Sequence, residues 1–293
     1  MKQIHNSILF RVCTVFLTVV FIAANCPHVY GRNIDTEKMI ELMLNGRKTQ
    51  TQISSLTHTY GTFNIQKAYQ IQRNLAKELS KELGAVTGYK VAYASEAARK
   101  QFGIPEPASG PLFSLQRVPN GTTLPKNTFG EMTLETEIAF TIGKRIDHEI
   151  EDVAHIKNYV KWVHSAFDAG NYLFAPDAKP TVQDQIASGV GAHMFVLGPA
   201  VDPSQVNVDA LRLKLIRNGQ VLADSPATDV MGSPWISLLW CTNHIVKLGG
   251  TLEPGTVIVT GTAAPAYKAK GNEIKGDYVG DCGLLGKVTM TIE

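Results

Sequence analysis

The amino-terminal third of the chain carries apolar residues at the three-to-four-residue spacing of amphipathic helices. This spacing predicts one helix from Thr36 to Leu44 and another from Ile65 to Leu83, with Asn64 as its N-cap and Gly84 as its end. The apolar stripe of the second helix consists of Ala68, Ile71, Leu75, Leu79 and Leu83. Packing against a hydrophobic core explains this stripe without any cofactor.

After Gly88 the pattern changes to short segments with strand character. A strand is predicted from Leu134 to Ile142, where polar and apolar residues alternate and Gly143 follows. A further helix is predicted from His155 to Phe167. Its apolar positions at helical spacing are Ile156, Tyr159, Val160, Val163 and Phe167.

Turn and cap residues delimit the remaining predicted elements. Asn218-Gly219 predicts a hairpin turn, and Ser233-Pro234 begins a helix that Gly249-Gly250 ends. The other predictions are a short helix at Glu96–Phe102 and strands at Tyr89–Ala94, Met194–Leu197, Leu211–Ile216, Val257–Thr260 and Val288–Ile292. Together they predict an α+β protein with mixed strands and few helices.

The first thirty residues differ from the rest of the chain. A weakly basic start is followed by an almost entirely apolar run from Val12 to Ala24. This run is shorter than the about 20 residues that span a bilayer comfortably, and it suits a signal peptide cleaved after Gly31. Export to the periplasm or the medium is therefore expected. The alternatives are a lipoprotein anchored at Cys26 and a membrane anchor that is retained.

Composition and charge narrow the class of protein. Hydrophobic residues make up 44% and charged residues 18% of the 293, which is typical of a globular chain. The net charge of +2 comes without a lysine or arginine cluster, so neither a nucleic acid nor a membrane beyond the leader is expected as a partner. The predicted organisation is a signal peptide (1–31), a helical region (32–87) and a strand-rich domain (88–293). A disulfide between Cys241 and Cys282 is not expected.

The segment Leu134-Glu135-Thr136-Glu137 is the main candidate for chemistry. In a strand, Glu135 and Glu137 project from the same face, roughly 6.6 Å apart along the chain. Two carboxylates that converge on one site repel each other unless a cation lies between them, and oxygen ligands suit Mg²⁺, Mn²⁺ or Ca²⁺. For this motif alone, the solvent-exposed face of an edge strand is an open alternative.

A series of short segments occurs in a characteristic order from 36 to 293. The segments are Gly88-Tyr89-Lys90-Val91, Phe102-Gly103-Ile104, Glu106-Pro107, the Glu-Thr-Glu strand, Thr181–Gly189, Phe195–Gly198, Asn218-Gly219, Gly232-Ser233-Pro234, Leu252–Val257 and Thr260-Gly261-Thr262. In this order they resemble the fumarylacetoacetate hydrolase superfamily, and within it the branch of 2-oxopent-4-enoate hydratases and 4-oxalocrotonate decarboxylases.

The resemblance implies an α+β fold with a mixed β-roll core, a homo-oligomer, and Mg²⁺ or Mn²⁺ held by Glu135, Glu137 and Asp168. Lys90 matches a lysine that would stabilise the enolate of a short 2-oxo acid substrate. Ser188 matches a serine that could contact the substrate. Each of these three assignments has an alternative. Asp168 could be a polar residue in a loop after a helix, Lys90 a surface lysine and Ser188 a turn-forming serine.

The chain also departs from the pattern of this branch. Ala108 stands where the hydratases carry an aspartate, and Asn171-Tyr172-Leu173 stands where the family has Asp-Ser-Arg. His164 and His193 are further candidate acid/base groups, with a structural role as the alternative. The predicted function is a divalent-metal-dependent lyase, a hydratase or decarboxylase. The alternatives are a carbon–carbon hydrolase of acylpyruvates and a non-catalytic exported binding protein.

Overall fold

The computed structural model describes residues 35–262 and 264–293, which belong to one compact unit. The predicted leader, 1–31, lies outside the described residues, and the boundary predicted at 87/88 stays a prediction. Within the described ranges, none of the helices has the length and apolar character needed to cross a membrane.

Seven α-helices and thirteen strands occur in the described residues. The helices are α1 (Thr36–Thr49), α2 (Leu56–Tyr60), α3 (Ile65–Leu83), α4 (Glu96–Phe102), α5 (Val153–Ile156), α6 (Val182–Ala187) and α7 (Pro234–Lys247). The strands are β1 (Val86–Ala92), β2 (Ala108–Phe113), β3 (Arg117–Val118), β4 (Thr122–Leu124), β5 (Glu131–Ile142), β6 (Val160–Asn171), β7 (Met194–Leu197), β8 (Arg212–Arg217), β9 (Gln220–Pro226), β10 (Val257–Val259), β11 (Tyr267–Lys270), β12 (Gly276–Asp281) and β13 (Lys287–Ile292).

These strands form two mixed sheets. In the larger sheet the strands lie in the order β2, β1, β10, β5, β6, β7 and β3, and β11 pairs with the outer part of β5. The smaller sheet has the order β4, β13, β12, β8 and β9. The pairs β1/β10 and β13/β4 are parallel, whereas β5/β6 and β12/β13 are antiparallel. The predicted α+β class with a mixed β core is confirmed.

Hydrophobic clusters hold these layers together, and three of them join different layers. One lies between the two sheets, where Phe167 of β6 packs with Tyr278 and Met290 of the smaller sheet. A second joins α7 to the larger sheet, and a third packs α1, α2 and α3 against the region that follows β6. The helical amino-terminal part therefore shares its core with the residues that directly follow the strand that carries Asp168.

Local sequence signals fix several element boundaries as predicted. The Oδ1 atom of Asn64 accepts a hydrogen bond from the Lys67 N–H at 2.8 Å, which caps α3. Gly84, with φ of 78°, ends this helix. Asn218 and Gly219 have φ values of 49° and 80°, as a tight hairpin turn between β8 and β9 requires.

The helix predicted from His155 to Phe167 is wrong. The short helix α5 ends at Ile156, and β6 then runs from Val160 to Asn171 between β5 and β7. Residues 163–170 of this central strand are all buried, so both of its faces meet other layers. A strand that is buried on both faces loses the polar–apolar alternation, and its apolar positions then imitate helical spacing.

Candidate metal centre

The two long strands β5 and β6 build the floor of the candidate site. Their antiparallel register places Glu135 opposite Asp168 and Glu137 opposite Ala166. One carboxylate oxygen from each of Glu135, Glu137 and Asp168 lies within 4.8 Å of the others. The structure therefore brings the three predicted ligands together, and Asp168 lies within a central strand rather than in a loop after a helix.

Lys90 projects into the same cluster from β1. Its ammonium forms an ion pair with Oδ2 of Asp168, and the two residues are 5% and 1% exposed. The surface-lysine alternative is therefore wrong. Gly110 lies directly opposite Lys90 in the ladder between β1 and β2.

Burial and mutual charge set the electrostatics of the cluster. Burial raises the pKa of Glu135 to about 7, since the opposing charge of Lys90 only partly offsets it and Asp168 adds to it. Burial together with the charges of Asp168 and Glu135 raises the pKa of Glu137 well above its usual value. Burial would lower the pKa of Lys90, but the three surrounding carboxylates outweigh it and raise that pKa. Three carboxyl groups thus surround one ammonium, so a single positive charge cannot balance them if all three ionise.

The donor atoms of this cluster fit a hard divalent cation. Oδ1 of Asp168 is buried and has no hydrogen-bond partner within the described part of the chain. Oε2 of Glu137 accepts a hydrogen bond from the backbone N–H of Gly261, and this bond orients the carboxylate. An all-oxygen set with an unsatisfied buried acceptor suits Mg²⁺, Mn²⁺ or Ca²⁺ rather than a softer metal.

Ser188 follows α6 and is held by its own backbone turn. Its hydroxyl donates to the carbonyl of Gln185 at 3.0 Å, and its carbonyl accepts from the Arg47 guanidinium. Arg47 also donates to the carbonyl of Ala192 at 3.2 Å, so it holds both ends of this loop. The hydroxyl contact is that of a turn-forming serine, and a catalytic role for Ser188 stays a prediction.

The same loop packs tightly on the sheet face of Lys90. A Cβ added to Gly110 would lie 2.4 Å from the carbonyl oxygen of Gly189. We expect Gly110→Ala to lower the free energy of unfolding by about 2 kcal/mol, because backbone on both sides must move to admit the methyl group. Urea denaturation measures this loss.

Gly130→Ala is the matched control for this substitution. The nearest atom to its added Cβ is 3.6 Å away, an ordinary contact, and Gly130 does not have a left-handed φ. We expect this variant to keep the wild-type free energy of unfolding. Equal stabilities of the two variants would contradict the close approach of β2 and the Ser188 loop.

The two candidate histidines serve packing and hydrogen bonding. The His164 ring forms hydrogen bonds with Thr141 Oγ1 at 3.0 Å and with the Gly198 carbonyl at 3.1 Å. The His193 ring forms one with the Thr128 carbonyl at 3.1 Å. Burial lowers both pKa values, that of His193 to about 4. This supports the structural alternative for both residues.

Sequence reasoning assigned no role to three polar residues with specific tertiary contacts. Asp184 is fully buried and joins α6 to the amino-terminal helices, and its capping pattern with Thr181 could have revealed it. Lys268 lies on β11, a strand that was not predicted, and Tyr172 was noted only as a departure from a family triplet. No local signal marked Lys268 as a positive charge that acts on Glu135, or Tyr172 as the ring beneath its ammonium.

The fold and the site together define a mixed β-sheet protein with a buried carboxylate centre suited to a divalent cation. Residues 69–291 match the model of the fumarylacetoacetate (FAA) hydrolase C-terminal family. The chain therefore belongs to this family.

Individual relatives agree with this assignment. The chain is 24% identical over 252 residues to a 2-keto-4-pentenoate hydratase of Paraburkholderia xenovorans (85% of this chain, 93% of the relative). It is also 24% identical over 252 residues to a 2-oxo-hept-4-ene-1,7-dioate hydratase of Escherichia coli (83% and 92%). The structure of 4-oxalocrotonate decarboxylase from Pseudomonas putida G7, complexed with magnesium and adipate, matches with a TM-score of 0.81 at 19% identity (89% and 100%).

Proposed function

We propose that this protein is a divalent-metal-dependent lyase, a hydratase or decarboxylase, of a short 2-oxo acid. The observation that carries the proposal is the cluster of half-buried Glu135 with buried Glu137 and Asp168 within 4.8 Å, with the Lys90 ammonium beside it. These three carboxylates would hold Mg²⁺ or Mn²⁺. The names of the two hydratase relatives and the magnesium in the decarboxylase structure support the same reaction class.

The residues of the chain can stabilise negative charge on a substrate oxygen. A bound divalent cation supplies Lewis-acid polarisation of a carbonyl group. Lys90 keeps its proton because its pKa is raised, so its ammonium can donate a hydrogen bond to an oxygen that becomes an enolate. Asp168 orients this ammonium through their ion pair. The burial of Lys90 and Glu137 keeps water away, which strengthens each of these interactions.

A non-catalytic binding protein is the second candidate function. Ala108 is fully buried and offers no titratable group at the position where the hydratases carry an aspartate. A protein with an intact carboxylate centre and no proton-transfer group would bind a 2-oxo acid without converting it.

Turnover and binding assays on the purified full chain separate these candidates. With Mg²⁺ or Mn²⁺ we expect conversion of at least one of 2-oxopent-4-enoate, 4-oxalocrotonate, oxaloacetate and an acylpyruvate, followed by NMR. We expect chelation with EDTA to abolish this turnover and added Mn²⁺ to restore it, since the carboxylates need a cation to engage the substrate.

Calorimetry with oxalate, an unreactive analogue of a 2-oxo acid, supplies the second measurement. Metal-dependent oxalate binding without any turnover would favour the binding protein. Cleavage of the acylpyruvate alone would favour a hydrolase. If the protein bound neither the metal nor oxalate, both candidate functions would be contradicted.

We also propose that the protein is exported and that it forms a homo-oligomer. The apolar run from Val12 to Ala24 supports export, and the resemblance to the hydratase branch supports the oligomer. Cell fractionation with amino-terminal sequencing of the mature chain tests the first, and mass photometry tests the second. An uncleaved chain in the cytoplasm and a monomer at micromolar concentration would contradict them.

A further inference from the structure

The face of β5 that carries the carboxylates becomes less buried from Glu137 toward Thr133. Thr133, Glu135 and Glu137 share one face of this strand because side chains alternate along a strand. Glu137 is 1% exposed, whereas Glu135 and Thr133 are only half-buried. The end of this face at Thr133 is therefore where the free end of a molecule held at the centre would reach solvent.

A lysine stands at this open end. In the ladder between β11 and β5, Lys268 lies directly opposite Thr133, and it is exposed. Its ammonium lies 5.5 Å from the centroid of the Tyr172 ring. In the described ranges no carboxylate forms an ion pair with this ammonium, so its charge is available to a ligand.

Tyr172 is a fixed platform for this ammonium. Its hydroxyl accepts a hydrogen bond from the side-chain amide of Gln185 at 3.3 Å. Its backbone N–H donates to the Glu131 carbonyl at 2.8 Å, which ties the residue to the start of β5. A cation over an aromatic face is attracted to the ring, so Tyr172 restricts where the flexible lysine side chain points.

The charge of Lys268 acts on the same space as the carboxylate centre. Burial is the main influence on the pKa of Glu135, and Lys268 is, after Lys90, a second positive charge that lowers it. Adjacent strands lie roughly 4.8 Å apart, and two residues along a strand span roughly 6.6 Å. The backbones of Lys268 and Glu135 are therefore about 8 Å apart, a span that a short carbon chain can bridge.

We propose that Lys268, on its Tyr172 platform, is the subsite for a second anionic group, so that the preferred ligands are 2-oxo acids with a carboxylate at the far end. This inference rests on the proposed function and specifies its substrate class. The 2-oxo acid end occupies the centre of Glu135, Asp168 and Lys90. The distal carboxylate contacts the ammonium of Lys268 at the less buried end of the site, beside Thr133.

The chain offers a matched control on the same strand. Lys270 shares the exposed face of β11 with Lys268 but lies opposite Glu131, two residues further from the centre. Glu131 itself accepts a hydrogen bond from the side chain of Gln52 at 3.2 Å. A general effect of surface charge would make the two lysines equivalent, whereas a subsite would not.

Calorimetry with Mg²⁺-loaded protein tests the subsite through binding alone. The probes are 2-oxoadipate and 2-oxohexanoate, which differ in the distal carboxylate, and oxalate, which has no far end. We expect the wild-type protein to bind 2-oxoadipate about fivefold more tightly than 2-oxohexanoate, the scale of an exposed ion pair. This preference should disappear in Lys268→Gln, persist in Lys268→Arg and Lys270→Gln, and weaken with added salt.

The outcomes distinguish this inference from the proposed function. Oxalate binding with equal affinities for the two longer acids in the wild-type protein would overturn the subsite and leave the metal centre intact. Equal loss of affinity for both longer acids in Lys268→Gln would also overturn it, since the effect would not involve the distal group. Absence of oxalate binding in the wild-type protein would overturn both proposals.

Discussion

Glu137→Gln is expected to weaken Mn²⁺ binding by more than about 100-fold while leaving the fold intact. Changes outside the ligand shell of metal sites commonly cost about 10–100-fold in affinity, and Glu137 would be a direct ligand at the buried end of the cluster. Glutamine has the same shape, and its oxygen can still accept from the Gly261 N–H. Calorimetry with Mn²⁺ measures the affinity, and the rise of the melting temperature on adding Mn²⁺ gives a second readout.

The metal-free form of this variant separates a lost ligand from a damaged fold. Burial and the neighbouring carboxylates disfavour the ionised form of Glu137, and glutamine carries no charge, so we expect the metal-free variant to be at least as stable as the wild-type protein. Glu151→Gln, at an exposed position, should change neither the stability nor the metal affinity. An unchanged Mn²⁺ affinity in Glu137→Gln would refute the assignment of the centre.

Asp184→Ala is expected to lower the free energy of unfolding by about 4 kcal/mol. The Asp184 carboxylate is fully buried and accepts hydrogen bonds from Ser55 Oγ at 2.7 Å, from Thr57 N and Oγ1 at 2.8 and 2.9 Å, and from Thr181 N at 2.8 Å. Alanine leaves these donors unsatisfied in the interior. Urea denaturation measures the loss, and the melting temperature should fall by about 10 °C.

Two further variants control for this loss. Asp35 also caps a helix, by accepting from the Lys38 N–H at 3.1 Å, but it lies at the surface, so Asp35→Ala should lose far less stability than Asp184→Ala. Ser55→Ala removes one donor to Asp184 and the side-chain cap that accepts from the His58 N–H, but it leaves the carboxylate and its other donors in place, so its effect should be intermediate. If Asp184→Ala and Asp35→Ala were equally stable, Asp184 would not hold α6 to the amino-terminal helices.

The relation between Glu135 and Glu137 followed from the sequence alone. The Glu-Thr-Glu pattern has the two-residue period of a strand, and this period places both carboxylates on one face wherever the strand lies in the fold. The same local logic gave the Asn64 cap of α3 and the Asn218-Gly219 turn, because each depends on contacts within a few residues.

The local spacing of apolar residues gave a wrong prediction where other layers of the fold bury both faces of a strand. The stretch from His155 to Phe167 has apolar residues at helical spacing, yet most of it is the central strand β6, covered on both faces. The error left Asp168 outside any element, and its ligand role then came from the family resemblance alone. The buried partners of Asp184, Ser55 and Thr57, lie 129 and 127 residues away in sequence, beyond the reach of any periodicity.

The sequence by itself thus determined the pair of glutamates, the helix caps and the family, because these depend on near neighbours or on the order of motifs. The tertiary structure decided that Asp168 faces Glu135, that Lys90 is buried against Asp168, and that Lys268 lies opposite Thr133. These relations arise from the registers of β1, β6 and β11 with their neighbouring strands. Such registers are set by packing between layers that are far apart in the chain, and no local spacing of residues encodes them.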